Sequence, residues 1–375
     1  VSETPGSNTN TVHDIVIFGG GIAGASLARS LSRDFSVLMV DPRDFIEVPM
    51  AMTRVIVAPD FAGPATIPFS DALTGVGRMR GRLIGWTPEG GRVERADGTQ
   101  VIVTGSVMVL ATGSRYANPV MRSSDGTMEE RRALFRIYHE RIKAAAKILI
   151  IGGGPIGVEI AGEISETWPE KAITLLDRGE RILKGSSEKL AREAKRILEA
   201  RGVTIVTGER LIWQPSPDAL ADGGKATTDT GRAIDYDLLI WATGGQPETG
   251  YMKAQAAERL NEAGRITVDA QLRVKGLKNV FAVGDINDVP ENKMAVHVLG
   301  QIKIAEANIR AVVEGRDAAA AYKPQTGNPM MLLALGRNTG VAHVPVLGVV
   351  KAGWFNRMLK TRDMLVPRFR KSFGL

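Results

Sequence analysis

The sequence predicts an α/β fold in two similar halves, with the second half set inside the first, and three observations carry that prediction. First, a unit repeats: Ile15–Leu31 (IVIFGGGIAGASLARSL) and Ile148–Ile164 (ILIIGGGPIGVEIAGEI) each run from a short apolar stretch through a glycine turn into apolar positions at helical spacing. Second, each copy is followed by an apolar strand ending in an acid, Val37–Asp41 (VLMVD) and Ile173–Asp177 (ITLLD). Third, two later strands close on the same tripeptide, Val107–Gly113 (VMVLATG) and Leu238–Gly244 (LLIWATG). A last strand, Val280–Ile286 (VFAVGDI), runs into Gly-Asp.

Taken in chain order, residues 1–11 are polar, rich in Ser, Thr, Asn, Pro and Gly, and are expected to be disordered. They show neither a basic-then-apolar leader nor the glycine that myristoylation needs. The first glycine turn, Gly19-x-Gly21-x-x-Gly24, follows a strand and opens a helix. Gly19 permits the tight turn, Gly21 lets backbone approach a pyrophosphate, and Gly24 lets helix pack on strand. The pyrophosphate then lies at the positive end of the helix, and Asp41 is placed to bond a ribose hydroxyl. Hairpin turns are expected at Asp97-Gly98 and Thr230-Gly231. Gly152-x-Gly154-x-x-Gly157 repeats the device with Pro155 in the first helical turn, and Asp177 takes the place of Asp41. Ser187–Arg201 reads as a charged helix. One such motif is weak; two in the same context predict two bound dinucleotides. The fold class is therefore two Rossmann-like three-layer domains with a small C-terminal α+β domain.

Composition narrows the chemistry. A chain of 375 residues exceeds one ordinary core. No apolar run approaches the ~20 residues of a membrane-spanning helix. The complete lack of cysteine excludes disulfides, iron–sulfur clusters and a redox-active dithiol. The four histidines, His13, His139, His297 and His343, are scattered, so no metal site is expected. The net charge of +7 is concentrated after residue 350, where seven basic residues face the single acid Asp363.

The order GGGIAG, ATGS, GGGPIGVE, ATG, VGD resembles the two-dinucleotide-binding-domain flavoproteins, which include pyridine nucleotide–disulfide reductases, type II NADH dehydrogenases and apoptosis-inducing-factor-like proteins. The resemblance implies an FAD-binding domain of residues 12–118 and 245–318, an NAD(P)H-binding domain of 119–244, and a C-terminal domain of 319–375. It implies FAD contacts from Gly19, Gly21, Gly24, Asp41, Thr112, Gly113, Asp285, Met294 and Ala295. Gly152, Gly154, Gly157, Glu159, Asp177 and Gly244 would serve NAD(P)H, with Glu159 at the nicotinamide end. Arg54 reads either as an FAD contact or as a solvated arginine.

Lys293-Met294-Ala295, Tyr322-Lys323-Pro324, Leu335-Gly336-Arg337-Asn338 and Lys360-x-Arg362-Asp363 resemble the ferroptosis-suppressor branch of that family. This implies an FAD-dependent oxidoreductase passing electrons from NAD(P)H to a quinone of the ubiquinone or vitamin K type. A ferredoxin reductase and a non-enzymatic NADH-sensing flavoprotein remain as alternatives. Lys293 leads into a helix whose N-terminus can stabilise negative charge on a reduced flavin. His297 reads as a proton relay or as a packed helix histidine, and Gln301, one turn on, as facing the acceptor. Lys360 is a flavin-side contact by resemblance, or one more basic tail residue. Asp177 favours NADH, while Arg178 and Arg181 leave NADPH open. Val350, Trp354, Phe355, Met358 and Leu359 make an apolar stripe beside Lys351, Arg357 and Lys360. It either packs into the C-terminal domain or makes a peripheral contact with a membrane; nucleic acid is not expected. The predicted location is cytoplasmic or membrane-peripheral.

Overall fold

The computed structural model describes residues 13–116, 118, 120–121, 126–212, 222–327, 330–345, 347–351 and 360–375. The chain opens with β1 (His13–Phe18), α1 (Ile22–Leu31) and β2 (Val37–Asp41). The short strands β3 (Phe45–Glu47) and β4 (Thr66–Pro68) pair antiparallel around α2 (Met52–Val55) and α3 (Ala62–Ala65), and α4 (Phe69–Ala72) follows. A meander of β5 (Gly77–Thr87), β6 (Gly90–Arg95) and β7 (Gln100–Val103) leads to β8 (Gly105–Leu110) and the short β9 (Ser114–Arg115). The turn between β6 and β7 falls at Asp97-Gly98 as expected, with Gly98 in the left-handed region at φ +82°.

The second unit contains α5 (Met128–Ala144), β10 (Lys147–Ile151), α6 (Pro155–Thr167), β11 (Ala172–Asp177), α7 (Glu188–Ala200), β12 (Thr204–Thr207), β13 (Asp222–Thr227) and β14 (Ala233–Trp241). The chain then returns through β15 (Gln246–Pro247), β16 (Val280–Ala282) and α8 (Ala295–Val313). It ends in an antiparallel sheet of β17 (Met331–Ala334), β18 (Gly340–Val344) and β19 (Gly348–Val350), with α9 (Val366–Ser372) last among the described elements.

Two sheets organise these elements. The first runs β16-β8-β1-β2-β5-β6-β7 and the second β12-β11-β10-β14-β13. In each, the strand that precedes the glycine turn lies between parallel neighbours: Ile15 is level with Val37 and Val107, and Ile148 with Ile173 and Leu238. A strand covered on both faces must be apolar throughout, which is why IVIF and ILII show no alternation. β16, far along the chain, pairs with β8 and completes the first sheet, so the second sheet is an insertion within it. β9 and β15 pair antiparallel where the chain leaves the first sheet and where it comes back.

The C-terminal sheet is fastened to the second unit by close backbone contact. A Cβ placed on Gly162 of α6 would lie 2.5 Å from the Cα of Leu335. Arg201 donates to the carbonyls of Gly162 and Leu335, to Glu166 at 2.9 Å and to Thr339 at 2.7 Å. Of the amphipathic tail stripe, Val350 ends β19, while residues 352–359 lie outside the described set. Lys351 pairs with Glu193 at 2.8 Å. Substituting Gly162→Ala is expected to force these segments apart and destabilise the protein by about 1–3 kcal/mol, as overpacking does. Urea denaturation of wild type and variant measures it.

Candidate active site

Helix capping divides the long helices into two kinds. α5 begins with a capping box, in which the Thr127 hydroxyl accepts from Glu130 N–H and Glu130 accepts from Thr127 N–H at 2.7 Å. α7 begins with Ser187, whose hydroxyl accepts from Leu190 N–H. α1, α6 and α8 begin with Gly21, Gly154 and Met294, none of which supplies a side-chain cap, and none has an acid in its first turn. A helix start leaves backbone N–H groups unmatched and carries partial positive charge. All three uncapped starts are therefore chemically suited to an anion or to negative charge developing on a ligand.

The two glycine turns are built alike. Gly19 and Gly152 have φ of +108° and +110°, in the left-handed region. A Cβ on Gly24 would lie 1.8 Å from the carbonyl oxygen of Gly19, and one on Gly157 would lie 1.9 Å from that of Gly152. On Gly21 or Gly154 a Cβ would meet nothing within 4 Å, so both residues leave room for a group to approach the helix start. Asp41 and Asp177 each use one carboxylate oxygen to accept from the middle glycine of their turn, Gly20 at 2.5 Å and Gly153 at 2.6 Å. Carboxylate oxygens have lone pairs to spare for ribose hydroxyls. Asp41 is also gripped by Arg43, at 2.8 and 2.9 Å, a partner that no sequence pattern pointed to. Burial opposes its ionisation, but Arg43 and the surrounding N–H groups prevail and hold its carboxyl below the usual range.

Thr112 and Gly113 follow β8, with the Thr112 hydroxyl donating to Glu248 O at 2.6 Å and Gly113 at φ +71°. Gly244 follows β14 with open space around its Cα. Asp285 accepts from the Ser114 hydroxyl at 3.0 Å, and its backbone carbonyl accepts from Arg265. Lys293 donates to Asn287 at 3.2 Å and to Val289 O at 3.1 Å. Burial and the nearby Arg265 bring its amine down to about 8, against the pull of Asp285, Glu291 and Asp288. Met294 and Ala295 form the start of α8. His297 is buried; Nδ1 lies 2.5 Å from Asn292 O, and Nε2 has no partner among the described residues.

Gln301 corrects an expectation. It turns inward: its carbonyl accepts from Gly284 N–H at 2.8 Å and Asn287 at 2.7 Å, and its amide donates to Glu291. The Gly284–Asp285 turn needs that acceptor, so the side chain braces the turn instead of facing an electron acceptor. Arg181 is corrected too. Its guanidinium donates to the carbonyls of Ile182, Leu183, Lys184 and Ser186, which leaves Arg178, exposed, as the cation beside Asp177.

The largest correction concerns α6. Glu159, Glu163 and Glu166 project from successive turns, and each meets a cation from elsewhere. Glu159 accepts from Lys360 Nζ at 2.5 Å and from Ala334 N–H at 3.0 Å, with the Thr53 hydroxyl at 3.4 Å. Glu163 accepts from Arg54 at 2.5 and 2.7 Å, and Arg54 also donates to Thr361 O at 3.0 Å. Arg54 is 1% exposed and Lys360 8%, so neither is a solvated surface charge. Burial pushes the Glu163 carboxyl up to about 7, and the charges of Glu159 and Glu166 add to the effect against Arg54. Glu163 was missed in the sequence, although an acid four residues after Glu159 on an otherwise apolar helix was the available signal. Shortly beyond Lys360, Met364 and Leu365 have φ of 51° and 65°, which bulky residues rarely adopt.

The family model of the pyridine nucleotide-disulphide oxidoreductases matches residues 13–308, most of the chain. The chain belongs to that family. Ferroptosis suppressor protein 1 of Mus musculus is 30% identical over 372 residues, covering 96% of this chain and 95% of the relative. Among solved structures, NDH2 from Plasmodium falciparum in complex with NADH aligns at TM-score 0.67 and 14% identity over 96% of this chain and 97% of that one. A NAD-dependent persulfide reductase from A. fulgidus aligns at TM-score 0.70 and 18% identity; 89% of this chain is covered but only 64% of that longer one. The protein is an oxidoreductase whose cofactors are FAD and NAD(P)H.

Two measurements follow from this geometry. Arg54→Met strands the buried Glu163 and is expected to cost about 3–5 kcal/mol in denaturant unfolding, most of it recovered in the double variant with Glu163→Leu. Burial brings the Lys293 amine down to about 8 in the fold, against an ordinary value of 10.5 when the chain is unfolded. The unfolded chain therefore binds more protons between those values, and this group's contribution to stability rises with pH across that window. Lys293→Met removes that rise from the melting temperature measured against pH.

Proposed function

We propose that the protein is an FAD-dependent NAD(P)H:quinone oxidoreductase. The observation that carries the reading is the buried Glu159–Lys360 pair at 2.5 Å in a chain with no cysteine. With no dithiol available, the protein offers no covalent relay between flavin and acceptor, so the acceptor must meet the flavin itself. Bound FAD would supply the chemistry of hydride acceptance from NAD(P)H and onward electron transfer. The residues do the rest. The start of α8 would answer negative charge on the flavin, and Asp285, on the turn braced by Gln301, would hold its ribityl chain. Glu159 fixes the Lys360 amine in place within a site from which water is largely excluded. A small, uncharged two-electron acceptor of quinone type suits such a site, and the resemblance to the ferroptosis-suppressor branch supports it.

In this reading residues 12–118 and 245–318 bind FAD, 119–244 bind NAD(P)H, and 319–375 close over the junction. Asp177 selects for a free ribose 2′-hydroxyl and hence NADH, while exposed Arg178 admits NADPH as a second donor. No described helix is long and apolar enough to cross a membrane. The exposed basic residues Arg368 and Lys371 of α9 support peripheral contact with an anionic membrane surface, from a cytoplasmic pool.

NADH oxidation by the purified holoprotein under air, with and without a short-chain ubiquinone analogue, tests the reading. A several-fold quinone-dependent acceleration is expected. Lys360→Met should lower kcat for the quinone far more than it raises KM for NADH. Flavin reduction with no response to quinone would sink the proposal and leave a protein acceptor in its place. Asp177→Ala should narrow the ratio of kcat/KM for NADH over NADPH.

A further inference from the structure

A cavity of about 450 Å3 opens beside the α6 junction, and among the described residues it is lined by Arg54, Phe61, Arg337, Asn338 and Arg362. That volume lies within the about 300–1,000 Å3 of small-molecule sites. Its walls come from three parts of the chain: α2 and the short 3-10 helix Pro59–Phe61, the turn between β17 and β18, and the segment just after Lys360. None of the lining residues belongs to the glycine turns or to the starts of α1, α6 and α8. Three guanidinium groups meet there, and no carboxylate stands among the described lining residues.

The guanidinium charges are not equally spoken for. Arg54 is 1% exposed; its Nε and Nη2 are held by Glu163 and Thr361 O, which leaves Nη1 without a hydrogen-bond partner among the described residues. Arg362 bonds its neighbour Asp363 at 3.1 Å. The exposed Arg337 side chain has no hydrogen bond or ion pair among the described residues. Allowing for Glu163 and Asp363, one positive charge stays uncompensated. Guanidinium groups match tetrahedral oxyanions in shape and donor geometry. The half-buried Phe61 ring adds an apolar wall for whatever the oxyanion is attached to.

We propose that this cavity is a binding site for the phosphate group of a phosphate ester, grasped by Arg54, Arg337 and Arg362 with Asn338 beside them. The same chemistry is offered by an anionic phospholipid headgroup and by a soluble phosphate ester. The site does not depend on the identity of the electron acceptor.

The test uses the FAD-loaded protein and its Arg337→Gln/Arg362→Gln variant, both at the cavity rim. The flavin absorption spectrum and the melting temperature in phosphate-free buffer check that the variant is folded, and Arg337→Gln alone replaces it if it is not. Inorganic phosphate is titrated calorimetrically, and phosphatidylcholine vesicles with and without phosphatidic acid are sedimented with the protein. The site is supported if phosphate binds the wild type and the variant weakens it by about tenfold or more, as loss of charge-assisted bonds dictates. Sedimentation that needs phosphatidic acid and is lost in the variant identifies a lipid headgroup, whereas phosphate binding without it identifies a soluble ester. Vesicle binding that the variant retains belongs to another surface, and the phosphate titration then decides. Absence of phosphate binding by the wild type, or equal binding by the variant, overturns the proposal.

Discussion

Three carboxylates on one helix hold the molecule together where its parts meet. Glu159, Glu163 and Glu166 of α6 are met by Lys360 from the C-terminal segment, Arg54 from the first unit and Arg201 from α7. Burying an ion is expensive, and a pair is tolerable only when geometry and extra hydrogen bonds make up the cost. Here the extra bonds exist: Ala334 N–H for Glu159, Arg337 N–H for Glu166, and Thr361 O for Arg54. Because each cation reaches in from a different region, the arrangement specifies one mutual placement of those regions. A slip of one helical turn would leave charges stranded in the interior.

A second buried pair follows the same logic away from α6. Arg131 near the start of α5 bonds Glu47 of β3 at 2.5 Å and Val120 O at 2.5 Å, and stacks over Phe135 at 4.3 Å. It anchors the helix that leads into the second sheet to the separate β3–β4 strand pair of the first unit. Ionic contacts of this kind fix register where an apolar surface would allow sliding.

The features that were legible in the sequence are local and repeated. The glycine turns, the acid at the end of the next strand, the Ala-Thr-Gly closures and the hairpin at Asp97-Gly98 all impose short-range backbone geometry. Each therefore leaves a mark within a few residues. The charged helix expected over Ser187–Arg201 was readable for the same reason, and it is found at Glu188–Ala200 with Ser187 as its cap. The partners of Arg54 and Lys360 were not, because they lie 109 and 201 positions away and no local pattern encodes such a pairing. Gln301 shows another limit. Helical spacing gives the face of a side chain roughly, but the Gly284 N–H and Asn287 amide decide which way it turns. Arg181 fails in the same way, since a guanidinium beside an acid can equally be consumed by four carbonyls of its own loop.

The contrast between capped and uncapped helices has a consequence for the life of the protein in a cell. Where Thr127 and Ser187 complete their helices, the fold is finished by its own side chains. Where Gly21, Gly154 and Met294 begin theirs, no side chain supplies the cap, so a ligand bound at such a start would complete the helix and add to the stability of the fold. Occupancy of those starts would then bear on how much of the polypeptide stays folded, since whatever binds only the folded state shifts the balance toward it.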